Sequence, residues 1–97
     1  MILDRRDFVP FQVLQHSVNG RTFLAIEGNC THSALAFWKL ECVHHENRLL
    51  IYPFVAKART NPEAKYSNFV ESIEIPPDVN VVHFGSSEQV IWTRMKS

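Results

Sequence analysis

The 97 residues are enough for one domain that buries roughly 60 to 65% of its unfolded surface without metal or disulfide support, and too few for two. Ten basic residues balance ten acidic ones, and the 45% hydrophobic and 21% charged fractions are ordinary for a globular protein, so nothing in the charge points to nucleic acid or an anionic membrane. No apolar run approaches the ~18 residues of a membrane span, and the start, MILDRRDFVP, carries four charges where a signal peptide has its apolar core, so no membrane insertion is expected and a cytoplasmic location is favoured.

Turn signals recur about every ten residues with β-branched and aromatic residues between them, the spacing of an all-β chain. About seven short antiparallel strands are expected, packed as a two-sheet sandwich of immunoglobulin or fibronectin type, in a single domain over residues 1–97. Residues 1–8 and 95–97 are expected to be loose ends.

The first two strands, FQVLQHSV and RTFLAIE, flank Asn19-Gly20, the pair best suited to the two positive φ angles of a type I′ turn. Pairing Val18 with Arg21 places Val13 beside Ile26 and Gln15 beside Leu24 on one face, and Leu14 beside Ala25 and His16 beside Phe23 on the other. GNCTH follows as a loop; its Asn29 to Thr31 triplet fits the glycosylation sequon, which matters only on a secretory route.

SALAFWKLECV is the longest element. Its alanines, leucines, lysine and glutamate also suit a helix, so an α+β chain with residues 33–45 helical is the alternative. The strand reading rests on the adjoining segment, HHENRLLIYPFV. Pairing Val43 with Arg48 across the loop His44 to Asn47 aligns Cys42 with Leu49, Leu40 with Ile51, Trp38 with Pro53 and Ala36 with Val55, a wholly apolar face. The opposite face then carries Phe37, Leu50, Tyr52 and Phe54, more apolar than solvent exposure normally leaves, and is expected to be a protein-partner or homodimer surface. Pro53 cannot donate to a ladder, which points to an edge strand.

Residues 56–68 read as a long polar loop broken at Asn61-Pro62. Lys57, Arg59 and Lys65, with Glu63 among them, make it a possible anion site next to Tyr66 and the segment expected to move most. FVESIEI follows as a strand with Phe69, Ile73 and Ile75 on one side, stopped by Pro76-Pro77-Asp78. VNVVHF and QVIWTR form the last hairpin around Gly85 to Glu88, with Val79, Val81, Val90 and Trp92 expected in the core.

Chemistry-bearing residues are scattered. Cys30 and Cys42 are twelve residues apart, too far for a disulfide along either a strand or a helix, so free thiols and a reducing compartment are expected. The same separation keeps Cys30 and His32 from joining Cys42, His44 and His45 on one zinc ion, so no metal and no cofactor is expected. Cys42 with His44 and Glu46 could form a thiol catalytic set only if Cys42 were accessible, and the register turns it inward. His16 and His83 sit within strands, and Glu71 and Glu74 lie on opposite strand faces, which spoils a carboxylate pair. The reading that remains is a non-catalytic binding or assembly module using a sheet face or loops; the alternative is a small enzyme, or an anion-binding protein using loop 56–68.

Overall fold

Asn19 and Gly20 both adopt positive φ, 52° and 78°, and fold the chain into the expected tight turn between β1 (Phe8–Val18) and β2 (Arg21–Cys30). The register is the expected one, from Val18 opposite Arg21 through Val13 opposite Ile26. In this computed structural model the described residues are 1–32, 34–57, 59, 61, 62, 64 and 66–94. Five more strands follow: β3 (Leu35–His45), β4 (Arg48–Lys57), β5 (Asn68–Ile75), β6 (Val81–Phe84) and β7 (Gln89–Thr93). The protein is nearly all-β, and the helical alternative for residues 33–45 gives way to β3, which pairs with β4 from Leu35 opposite Lys57 to His45 opposite Arg48.

The strands form a two-sheet sandwich, a three-stranded sheet in the order β1-β2-β5 and a four-stranded sheet in the order β3-β4-β6-β7. All neighbours are antiparallel except β4 and β6, which run parallel. This order sets β4, not β3, beside β6. The edge expected at Pro53 is therefore not there: β4 is an inner strand, and its stretch beyond the β6 ladder is covered by the N-terminal segment. Leu3 donates its N–H to the Pro53 carbonyl at 3.2 Å, Val55 donates to the Met1 carbonyl at 2.9 Å, and Ile2 bridges Phe54.

Residues 1–8 are thus a strap, in contrast to the loose end expected from the charges. Leu3 and Phe8 are buried, and Asp4 caps a single 3-10 turn (Arg5–Asp7) in which the Asp4 carboxylate accepts from the Arg5 N–H and the Asp7 carboxylate accepts from the Asp4 N–H. Four charged side chains hid two apolar anchors at positions 3 and 8. Residues 95–97, the other expected loose end, lie outside the described residues.

The core is a layer of alternate residues from both sheets: Leu24, Ile26, Phe69 and Ile75 from one, Leu49, Ile51, Val55, Val82 and Phe84 from the other. A file of phenylalanines runs through it. Phe37 stacks on Phe69 at 4.6 Å, Phe69 meets Phe8 edge-on at 5.4 Å, Phe8 meets Phe84 at 5.9 Å, and Phe84 lies 4.8 Å from Phe11. Aromatic pairs of this geometry add about 0.5–1.5 kcal/mol each beyond the area they bury. Gly28 makes room for them, since a Cβ there would sit 3.1 Å from both Phe69 and Phe8. At the other seam, the Trp92 indole N–H donates to the Gln15 carbonyl oxygen at 2.7 Å and ties β7 to β1.

The last hairpin turns the other face inward. Val82 and Phe84 are fully buried, whereas Val81 is half-buried and Val90 half exposed. Val79 is in the core as expected, but it precedes β6 in a turn closed by its N–H to the Pro76 carbonyl, so its parity does not carry into the strand. Trp92 is half-buried and packs against the core.

Candidate functional site: the outer face of the four-stranded sheet

The β3–β4 turn is one step tighter than expected, with His45 opposite Arg48 across Glu46 and Asn47, and Glu46 at a φ of 55°. That slides the register by two residues, so Cys42 meets Ile51 and Leu40 meets Pro53. A two-residue slide preserves faces. A bulge between Phe37 and Lys39 does not: beyond it Phe37 pairs with Val55 and turns into the core.

The four residues expected to share one outward surface are therefore divided. Phe37 is a core residue stacked on Phe69. Leu50 is on the outer face but buried. Tyr52 and Phe54 are half-buried on the outer face, with Lys39, not Phe37, opposite Phe54. The Lys39 ammonium lies 4.4 Å from the Trp38 ring centroid and 5.3 Å from that of Phe54, and pairs with Glu41 at 2.9 Å. Trp38 meets Phe54 edge-on at 6.3 Å.

One row crosses the whole sheet. Val43, Leu50, His83 and Val90 are successive cross-strand neighbours on β3, β4, β6 and β7, with Val43 and Val90 about half exposed. Beside it the Tyr52 hydroxyl donates to a Glu88 carboxylate oxygen at 3.0 Å. His83 Nδ1 lies 2.8 Å from the Glu88 carbonyl, which can only accept, so Nδ1 carries the proton. Nε2 of the same ring is shut off from solvent and has no hydrogen-bond partner among the described residues. Partial burial and the bond to Glu88 push the Tyr52 hydroxyl pKa up, so it stays protonated through neutral pH. Glu88 holds this arrangement from a left-handed position, φ 54°, in the β6–β7 turn. No sequence pattern marks Glu88 as the partner of both Tyr52 and His83; their meeting depends on β4 lying beside β6.

Lys57 ends β4 and is exposed, Arg59 is exposed in the loop, and Lys65 lies outside the described residues. Two of the loop's described residues are held in place: Ala64 is buried, and Phe37 donates its N–H to the Tyr66 carbonyl at 2.7 Å.

The thiols are free, with Cys30 buried and Cys42 exposed, not turned against Leu49 as the expected register had it. Packing around its sulfur and the nearby Glu71 charge nevertheless push the Cys42 pKa up, the reverse of what a nucleophile needs. His44 is engaged elsewhere, 3.0 Å from the Glu46 carbonyl and 3.3 Å from the Asp78 carboxylate. His32 pairs with Asp7 at 3.1 Å, and His16 stacks on Phe23 at 5.3 Å. Among the described residues no group of three or more His, Cys, Asp or Glu could hold a metal ion. Nor, among them, is there a helix long and apolar enough to cross a membrane.

Two shallow hollows lie away from this face. One, of about 380 Å³, is lined by Pro10, Gln12, Glu27, Asn29, Asn68 and Val70 on the three-stranded sheet. The other, of about 300 Å³, lies between Arg5, Arg6, Phe8, Phe11 and Gln89. The class of protein these features define is a two-sheet β-sandwich. Compared with protein-family models, curated proteins and solved structures, the chain matches none of them.

Proposed function

We propose that this protein is a non-catalytic binding module whose contact surface is the outer face of the four-stranded sheet. The observation that carries the reading is the row Val43, Leu50, His83 and Val90, three aliphatic side chains and one imidazole across four strands, with Tyr52 at its side. Around it stand charges of both signs: Lys39 lies opposite Phe54, Glu41 opposite Tyr52, Glu88 holds the Tyr52 hydroxyl, and Arg48 precedes Leu50 on the same face of β4. An apolar, aromatic-rich centre inside a polar rim is the anatomy of a protein interface, and a rim of mixed sign favours a protein over a polyanion. The Tyr52 hydroxyl is spent on Glu88 and His83 Nδ1 on a backbone carbonyl, and the other ring nitrogen, Nε2, is closed off from solvent.

The test compares immobilised wild type with Val43→Lys, Val90→Lys and the double variant, using Val70→Lys on the other sheet as control. All three positions are exposed, so the melting temperature should stay put. A partner retained by wild type and Val70→Lys and lost by the double variant supports the assignment. Retention by the double variant sinks it.

A further inference from the structure

We infer that β1 is a pairing edge for a second copy of this chain, joining two three-stranded sheets into one of six strands. The inference uses the opposite sheet and stands apart from the face described above. β1 hydrogen-bonds to β2 on one side only, because it is the outer strand of the order β1-β2-β5. It is 11 residues long, FVPFQVLQHSV, and contains no Asp, Glu, Lys or Arg.

The other edges are defended. A long exposed edge strand invites pairing, and chains ordinarily blunt it with charge, proline or shortness. β3 carries Lys39 and Glu41, and its start is capped by the bridge from Phe37 to Tyr66. β5 carries Glu71 and Glu74 within eight residues, with Glu71 on the inward side in the Leu24, Ile73 register. β7 has only five residues. On β1 the sole such device is Pro10, near its beginning, which leaves Phe11 to Ser17 as about 24 Å of unblocked edge.

The occupant follows from charge. A strand without charges can lie antiparallel to its own copy with no like-charged pair at any register, whereas β3 or β5 of another molecule would bring unpaired charges to it. Two-fold pairing of the segment Phe11 to Ser17 is centred on Leu14. It sets Leu14 beside the second copy's Leu14 and Gln12 beside its His16. Leu14 is on the outer face and 55% exposed, so this contact gives a large apolar side chain the cross-strand neighbour it lacks on that side. A single edge of this length makes a small interface, so the dimer should be weak and concentration-dependent.

Sedimentation of the full chain over a wide concentration range, with hydrogen exchange read at both ends of it, tests the inference. The expected result is a reversible monomer–dimer equilibrium in which those amides of Phe11 to Ser17 that point away from β2 gain protection at high concentration. Leu14→Lys, which sets two ammonium groups side by side, should raise the dimer Kd at least tenfold, and Gln12→Lys should weaken it as well. Val70→Lys, on the same sheet but on β5, should leave it unchanged. A chain that stays monomeric throughout overturns the inference, and so does a dimer indifferent to Leu14→Lys with β1 amides exchanging freely.

Discussion

Phe69 and Val70 are neighbours on β5 with opposite fates, and replacing each by alanine tests the packing most directly. Phe69 is 5% exposed and touches two other rings, Phe8 at 5.4 Å and Phe37 at 4.6 Å, while Val70 is 67% exposed. Phe→Ala in a core costs about 3–5 kcal/mol, and the loss of two ring pairs puts Phe69→Ala in the upper part of that range. A domain of this size has roughly 5–15 kcal/mol in total, so the variant should be close to unfolding. At about 4–8 °C per kcal/mol, its melting temperature should fall by about 15 °C or more. Val70→Ala should stay within about 0.5 kcal/mol of wild type. Urea unfolding followed by tryptophan fluorescence gives both numbers, because Trp92 packs against this core and reports its loss. Near-equal losses, or a larger loss at Val70, would mean that β5 sits one residue out of register on β2, since a single-residue slip exchanges the two faces.

Gly28→Ala should destabilise although alanine is the better strand residue: crowding against Phe8 and Phe69 costs about 1–3 kcal/mol and the gain from removing glycine returns about 0.5–1 kcal/mol. Gly28→Val should be worse, and a stabilised alanine variant in the same urea assay would show the aromatic seat to be loose. The Ser87 hydroxyl bond at 2.6 Å, opposed by partial burial and helped by the Arg5 N–H, holds the Asp4 carboxyl below its ordinary value of 3.8. A folded-state pKa that is lowered stabilises above the unfolded value and stops doing so as pH falls through the folded one. Wild type should therefore exceed Asp4→Asn in urea midpoint at neutral pH and lose that advantage well below pH 3.8; a constant difference across this range would contradict the assignment. Cys42 should react slowly with a thiol reagent at neutral pH, faster in Glu71→Gln, and Cys30 only on unfolding; equal native rates for the two thiols would place Cys30 wrongly.

What could be read from the residues was local. Asn19-Gly20 demands two positive φ angles in a row, and with the turn set, the register of β1 on β2 follows pair by pair to Phe11 opposite Gly28. The remaining strands announce themselves by β-branched and aromatic runs between turn residues, and the inward face of β5 by Phe69, Ile73 and Ile75 at even spacing, interrupted at Glu71. A bulge carries no such mark. Nothing in AFWK shows that the chain inserts an extra residue between Phe37 and Lys39, yet that one residue sends Phe37 into the core and divides the surface that alternation had assembled from Phe37, Leu50, Tyr52 and Phe54. The strap of residues 1–8 was hidden in the same way, because the places that receive Leu3 and Phe8 are made by β4, β5 and β6, far away in sequence. Strand order is the other matter that only the folded chain decides. Setting β4 parallel to β6 brings Leu50 beside His83 and Tyr52 to Glu88, and it leaves β1 at the rim of the smaller sheet. Periodicity specifies which way a side chain points from its own strand; which strand it then meets depends on long-range pairing, whose energy is shared among many weak contacts and written in no single stretch of the sequence.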